Sequence, residues 1–273
     1  MVWGERTSRG MLRPTYDKRI TADEEPLLDD ARSDSTYLST TSANYRSNSA
    51  PFIAGAVGVH VFIVAAYAAI LSAIVSTPFG TGSMHFILQS AAFAVLAPVA
   101  LVSYRVYRDA FSMSHAATKA LHAALNIGAA AAGIVGVCYM WSAHQQRAAE
   151  LTAAGTAVHL ASVHSWLGAV ALTLFVLNAS ISLPVFYLCP LATRAAWVPI
   201  HIFWGAVAAS LCFCSVLMGI LSAAGRGYGW TDVLWKVAAL LLVCAAAAVG
   251  LVFYSSERRS PRDKGEIVWA LAD

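Results

Sequence analysis

Residues 161–188 read ASVHSWLGAVALTLFVLNASISLPVFYL, 28 consecutive positions without an aspartate, glutamate, lysine or arginine. About 20 apolar residues suffice to cross a bilayer core of roughly 30 Å, so this stretch reads as a membrane span, and its one histidine, His164, stands out. Working outward, the same pattern recurs at 52–76, 85–104, 121–143, 198–222 and 232–254. Six such runs predict an all-α polytopic membrane bundle of six transmembrane helices. Composition agrees: 58% of the 273 residues are hydrophobic and 12% are charged, against about 25% charged in an ordinary soluble domain. The charges gather in residues 1–50, residues 104–121 and the tail after Tyr254. A water-soluble enzyme, a secreted domain and a nucleic-acid binder are excluded, and membrane lipid is the solvent.

The ends are of another kind. Residues 1–50 are rich in Ser, Thr, Asp, Glu and Arg with no sustained period, so they bury too little apolar surface to offset their ordering entropy. They are expected to form a disordered tail. Within it, Asp23-Glu24-Glu25-Pro26-Leu27-Leu28 fits the acidic dileucine pattern that sorting adaptors recognise, which points to an endosomal, lysosomal or other vesicle membrane, with the plasma membrane as the alternative. This polar start lacks the apolar core of a cleavable signal peptide. Basic residues set the orientation, because cytosolic loops carry the excess of Lys and Arg. Placing the N-terminus in the cytosol puts 15 of the 18 lysines and arginines there. They include Arg105, Arg108 and Lys119 between spans 2 and 3, and Arg194 between spans 4 and 5. Arg147, Arg226 and Lys236 stay on the far side. The expected organisation is a cytosolic tail over 1–50, a transmembrane domain over 51–255 and a cytosolic tail over 256–273. The five cysteines (Cys138, Cys189, Cys212, Cys214, Cys244) fall inside or at the ends of apolar runs without Cys-x-x-Cys spacing, and read as small buried hydrophobes.

Ionisable residues within membrane spans are costly and functional by default, which turns attention to the histidines. His85, His122, His164 and His201 sit at or just inside the starts of spans 2, 3, 4 and 5. Successive spans start on alternating faces, so His85 and His164 share the non-cytosolic side while His122 and His201 share the cytosolic side. Two imidazoles facing one another at each end of a helix bundle suit a haem iron held on both axial faces. His164-Ser-Trp-Leu-Gly168 and His201-Ile-Phe-Trp-Gly205 each place a glycine one turn after the histidine on the same helix face, where a missing Cβ leaves room for a ring edge. Iron with both axial positions filled favours electron transfer over oxygen chemistry. Arg105, Arg108, Lys119 and Arg194 surround the cytosolic pair and would attract an anionic reductant. His144 and His159 flank the connection of spans 3 and 4 and are candidates for binding an acceptor. His60 reads as a packed polar residue without a partner at its depth, and His115 as a solvated loop residue.

These residues resemble the cytochrome b561 family of six-helix, dihaem, ascorbate-dependent transmembrane oxidoreductases. The resemblance is carried by Ser162-Val-His-Ser-Trp-Leu-Gly168, Tyr104-Arg-Val-Tyr-Arg108, Lys119-Ala-Leu-His122 and Pro199-x-His201-x-x-x-Gly205, in that set across residues 52–255. It implies two haem b groups held by the four central helices, one by His85 and His164 and one by His122 and His201. It further implies cytosolic ascorbate as donor, bound by basic residues matching Lys119 and the Tyr-Arg-x-x-x-Arg region. Monodehydroascorbate or ferric iron is the implied acceptor on the far side, and a homodimer the implied assembly. Phe86, Val99, Asn126 and Ala161 depart from the family pattern without removing a ligand. Two rivals are a histidine-relay metal or proton transporter and a non-catalytic membrane adaptor with a sorting tail. The first should place acids along its path, and the span interiors hold none. The second gives no reason for four histidines in register.

Overall fold

The computed structural model of the chain describes residues 50–108, 110–151, 159–225 and 229–257. Almost all of both expected tails, the Asp23–Leu28 motif and Arg226 lie outside the described residues. Six helices organise the rest: α1 (Ala50–Val75), α2 (Thr81–Arg108), α3 (His115–Leu151), α4 (Val163–Leu188), α5 (Leu191–Ala224) and α6 (Trp230–Glu257). Each is long and apolar enough to cross a membrane, and the described residues contain no strand.

Hydropathy alone places some helix ends wrongly. The run 121–143 is only the middle of α3, which has 37 residues. His115-Ala-Ala-Thr-Lys-Ala at one end and Gln145-Gln-Arg-Ala-Ala-Glu150 at the other are polar but contain no Gly or Pro, and Ala, Gln, Arg and Glu favour helix. The helix therefore continues past the apolar segment. α5 likewise begins at Leu191, directly after Pro190, rather than near 198. α2 is irregular in a way that no periodicity count shows: Ala91–Leu96 and Tyr104–Arg108 are π-helical turns. Pro98 has no N–H to give the carbonyl four residues back, and beside it the ladder shifts, with the Ala97 N–H bonded to the Ala92 carbonyl five residues back.

α2 packs on α3, α3 on α4, α4 on α5, and α5 returns to the first π turn of α2, which closes a ring of four helices. α1 and α6 lie outside the ring, packed along each other and against α2 and α5 respectively. Small residues allow that close approach, as is common between membrane helices. A methyl group at Gly55 would stand 3.0 Å from Val252 Cγ2 and 3.1 Å from the Ala248 carbonyl oxygen. Midway along the ring, Ala92, Phe93, Ala97, Ala129, Ala171, Phe175, Ala208 and Cys212 form one buried layer, where Phe93 and Phe175 meet edge to face with ring centres 5.4 Å apart. Of the free cysteines Cys212 is buried as expected, whereas Cys138 and Cys214 face outward from the bundle.

Candidate functional site

The Ser162-Val-His-Ser165 element has a local purpose. Ser162, in extended backbone, caps α4: its Oγ accepts the Ser165 N–H at 3.2 Å. This fixes His164 as the second residue of the helix, at the rim of the ring. The His164 Nδ1–H donates to the Ser215 carbonyl at 2.9 Å. Its ring also lies against Gly219, where a Cβ would come within 2.9 Å of His164 Cε1. Across from it, His85 donates its Nδ1–H to the Gly136 carbonyl at 3.0 Å, and one turn later Gln89 Nε2 donates to the Gly133 carbonyl at 2.8 Å. The Gly133-x-x-Gly136 face of α3 is what lets α2 come near enough, since a methyl at Gly136 would meet Gln89 Nε2 at 3.0 Å. The ring centres of His85 and His164 are 6.3 Å apart with planes at 85°.

The opposite end of the ring repeats the arrangement. His122 donates its Nδ1–H to the Ala100 carbonyl at 2.9 Å. His201 Nδ1 instead meets the Ser182 hydroxyl at 2.7 Å. The two ring centres lie 6.1 Å apart with planes at 76°. From His122 to Gly136, where His85 is anchored, α3 runs 14 residues, about 21 Å at 1.5 Å per residue. The two pairs thus occupy separate levels with the Phe93–Phe175 layer between them.

A cavity of about 310 Å³ opens at the first level, lined by both His85 and His164 and by Gly168, Gly219, Phe93 and Trp235. That is within the range of small-molecule and cofactor pockets. His144 and His159 line it as well. His144 lies in the last turns of α3, which runs past the apolar segment before the connection begins. His159 stacks flat on Trp141, ring centres 3.6 Å apart and planes 4° apart, and its ring centre is 5.6 Å from that of His144. Of the two glycines expected to clear space, Gly168 lines the cavity and also faces Ser215 Oγ, 3.0 Å from where its Cβ would be. Gly205 serves the approach of α4 to α5, its Cβ position being 3.3 Å from Asn178 Nδ2.

The expected cations gather around the His122–His201 level. Arg105 and Arg108 belong to the terminal π turn of α2. Lys119 donates from Nζ to the Phe186 carbonyl at 2.8 Å in the last turn of α4, and lies 4.6 Å from the Tyr187 ring centre. A lysine there satisfies an end carbonyl and complements the helix dipole. Arg194, in the first turn of α5, is close enough to repel Lys119, and its buried Nε has no hydrogen-bond partner among the described residues. His115 is not a solvated loop residue: it opens α3 and packs its ring 5.9 Å from that of Tyr104, which in turn lies 5.4 Å from His122. His60 does have a partner at its depth, since its Nδ1–H donates to the Ala56 carbonyl and its Nε2 accepts from the Tyr107 hydroxyl at 2.8 Å. Gly133, Gly136, Gly219, Ser182 and Trp197 escaped the sequence reading because each acts across a pair of helices. The Gly133-x-x-Gly136 spacing is the one signal that a search for small-residue helix faces would have found.

The family profile described as eukaryotic cytochrome b561 matches residues 84–225, more than half of the chain. Among similar proteins, the plasma membrane ascorbate-dependent reductase CYBRD1 of Mus musculus is 29% identical over 138 residues, 50% of this chain and 44% of that protein. The lysosomal membrane ascorbate-dependent ferrireductase CYB561A3 of Mus musculus is 32% identical over 50% of this chain and 53% of its own length. The transmembrane ascorbate-dependent reductase CYB561 of Homo sapiens is 30% identical over 61% and 66%. The chain spans about half the length of the first two relatives. With its six spans and a match that covers all four paired histidines, the chain belongs to the cytochrome b561 family, a membership that implies haem b as its cofactor.

Proposed function

We propose that this protein carries single electrons across a membrane, from ascorbate at the His122–His201 end to an oxidised acceptor at the His85–His164 end, through two haem b groups each held between two histidines. The observation that carries this reading is the facing pair of imidazoles at each level. A ligating imidazole nitrogen lies about 2.0 Å from its metal and roughly 1.15 Å from its own ring centre, so two imidazoles on opposite faces of one ion put their centres roughly 6.3 Å apart. Separations of 6.3 and 6.1 Å fit that spacing. The hydrogen bonds support it too. A carbonyl can only accept, so an Nδ1 facing one must carry the proton, which leaves the Nε2 lone pair to ligate. His85, His122 and His164 all meet this condition. When bound, haem b filled on both faces supplies a one-electron carrier rather than an oxygen-binding centre.

The remaining chemistry falls to the chain itself. Ascorbate is an anion at neutral pH, and Lys119 and Arg194, with Arg105 and Arg108 beside them, form the positive surface that would hold it. The Arg194 Nε, a buried donor with no acceptor among the described residues, suits an oxygen-rich ligand. His144 and His159 at the cavity are suited to monodehydroascorbate or ferric iron. The relatives' names support ascorbate as donor and ferric iron as one acceptor. The basic excess supports a cytosolic location for both termini and for the Lys119–Arg194 end, in a vesicle or plasma membrane, with 51–255 as the working membrane unit and a homodimer as the assembly. The test is a reduced-minus-oxidised spectrum of the purified chain, with ascorbate as reductant and haem counted per chain. Two haems per chain are expected. None would sink the reading, and one would sink its two-centre form.

A further inference from the structure

Three of the four paired histidines give their Nδ1–H to a main-chain carbonyl. His201 differs. The Ser182 oxygen that meets its Nδ1 at 2.7 Å also accepts the indole Nε1–H of Trp197 at 3.1 Å. Trp197 and His201 are four residues apart on α5 and so share a face, while Ser182 comes from α4 and is only 5% exposed. The three side chains form a polar chain centred on Ser182. The Ser103 and Ser215 hydroxyls also stand 3.4 Å from Nδ1 of His122 and His164, but there beside a closer carbonyl, whereas at His201 a hydroxyl takes the carbonyl's place.

The replacement has a chemical consequence. A serine oxygen is a weaker acceptor than an amide carbonyl, and an N–H already bound to one of its lone pairs draws electron density from the other. An imidazole that gives its Nδ1–H to a strong acceptor becomes a more basic ligand at Nε2, which is how outer partners tune a metal. A more basic ligand favours the ferric state. We propose that Ser182 and Trp197 are positioning residues that keep the His201 imidazole a poorer electron donor than the other three. They thereby raise the reduction potential of the iron that His201 would hold above the value a carbonyl partner would set. That direction favours uptake of an electron from a mild donor at the end where Lys119 and Arg194 lie. The proposal rests on His122 and His201 being axial ligands.

The test compares Trp197→Phe, Ser182→Ala and Ser182→Thr in the full chain, with haem counted per chain, midpoint potentials measured by spectroelectrochemistry and low-spin iron signals by electron paramagnetic resonance. Trp197→Phe removes the competing N–H, strengthens the Nδ1–H bond to Ser182 and should lower one of the two midpoints. Ser182→Ala leaves the Nδ1–H without its acceptor and should raise the same midpoint, while Ser182→Thr keeps the hydroxyl and should stay near the parent. Opposite signs are the signature, because loosened packing would move both variants the same way. Unmoved midpoints, or shifts of one sign with haem content intact, overturn the proposal and leave the ligand assignment standing. If Ser182→Ala loses haem, Trp197→Phe decides alone: a lower midpoint supports the proposal and an unchanged or higher one overturns it. Retention of both haems in His201→Ala overturns the assignment beneath it.

Discussion

The two histidine levels use the same side-chain chemistry and differ in what surrounds it. At the His85–His164 level both rings are anchored on carbonyls of helices that approach through glycines, and the space beside them is a cavity reached by two further imidazoles. At the His122–His201 level one anchor is a hydroxyl, and the neighbours are Lys119, Arg194 and tyrosines. Paired imidazoles thus define what can be held, while the neighbours define what can approach. On the proposed function, the positive rim would select an anion, and the cavity lined with imidazoles would admit a small acceptor.

The hardest way to break this comparison is to remove a ring. His201→Ala should leave one haem per chain in place of two, and the remaining spectrum should belong to the His85–His164 level. Next in size is Gly219→Ala. The added methyl falls 2.9 Å from His164 Cε1, and since Gly219 is helix backbone the histidine ring must give way. Overpacking of this kind costs roughly 1–3 kcal/mol, about 5- to 150-fold in affinity. Haem content should fall at this level alone, and an equal loss at both levels would show that the two do not behave as separate sites. A smaller effect is expected for Lys119→Ala, which should raise the KM for ascorbate by roughly tenfold with both haems kept. Reduction by an uncharged dye should be unchanged. The ascorbate rate should also fall with added salt while the acceptor side responds less, and stopped-flow absorbance follows both. Smallest is His144→Ala, which should slow reoxidation by ferric chelates a few fold without moving either spectrum.

Much of this was legible in the sequence for one physical reason: lipid excludes charge so strongly that spans and their polar exceptions are visible without structure. The four paired histidines could be assigned to levels from alternation alone. What stayed hidden depends on partners from other helices or on local ladder shifts. Nothing in the order of residues says that Ser182 meets His201, or that His60 finds Tyr107. The π turn beside Pro98 cannot be read from the proline alone, since Pro184 in α4 and Pro199 in α5 lack the same N–H and sit within α-helix. Hydropathy shortened α3 because it reports where lipid would lie rather than where a helix stops.

That last difference has a consequence for how the protein meets its surroundings. At 1.5 Å per residue the 37 residues of α3 extend about 55 Å, beyond the roughly 40–45 Å of a bilayer with its headgroups. The helix that carries both His122 and His144 is therefore long enough, when upright, to reach past the headgroups. On the proposed function, the polar turns 115–120 and 145–150 beyond the apolar run would stand among headgroups or in water, so the salt and acidity of each compartment would reach the reactants there directly.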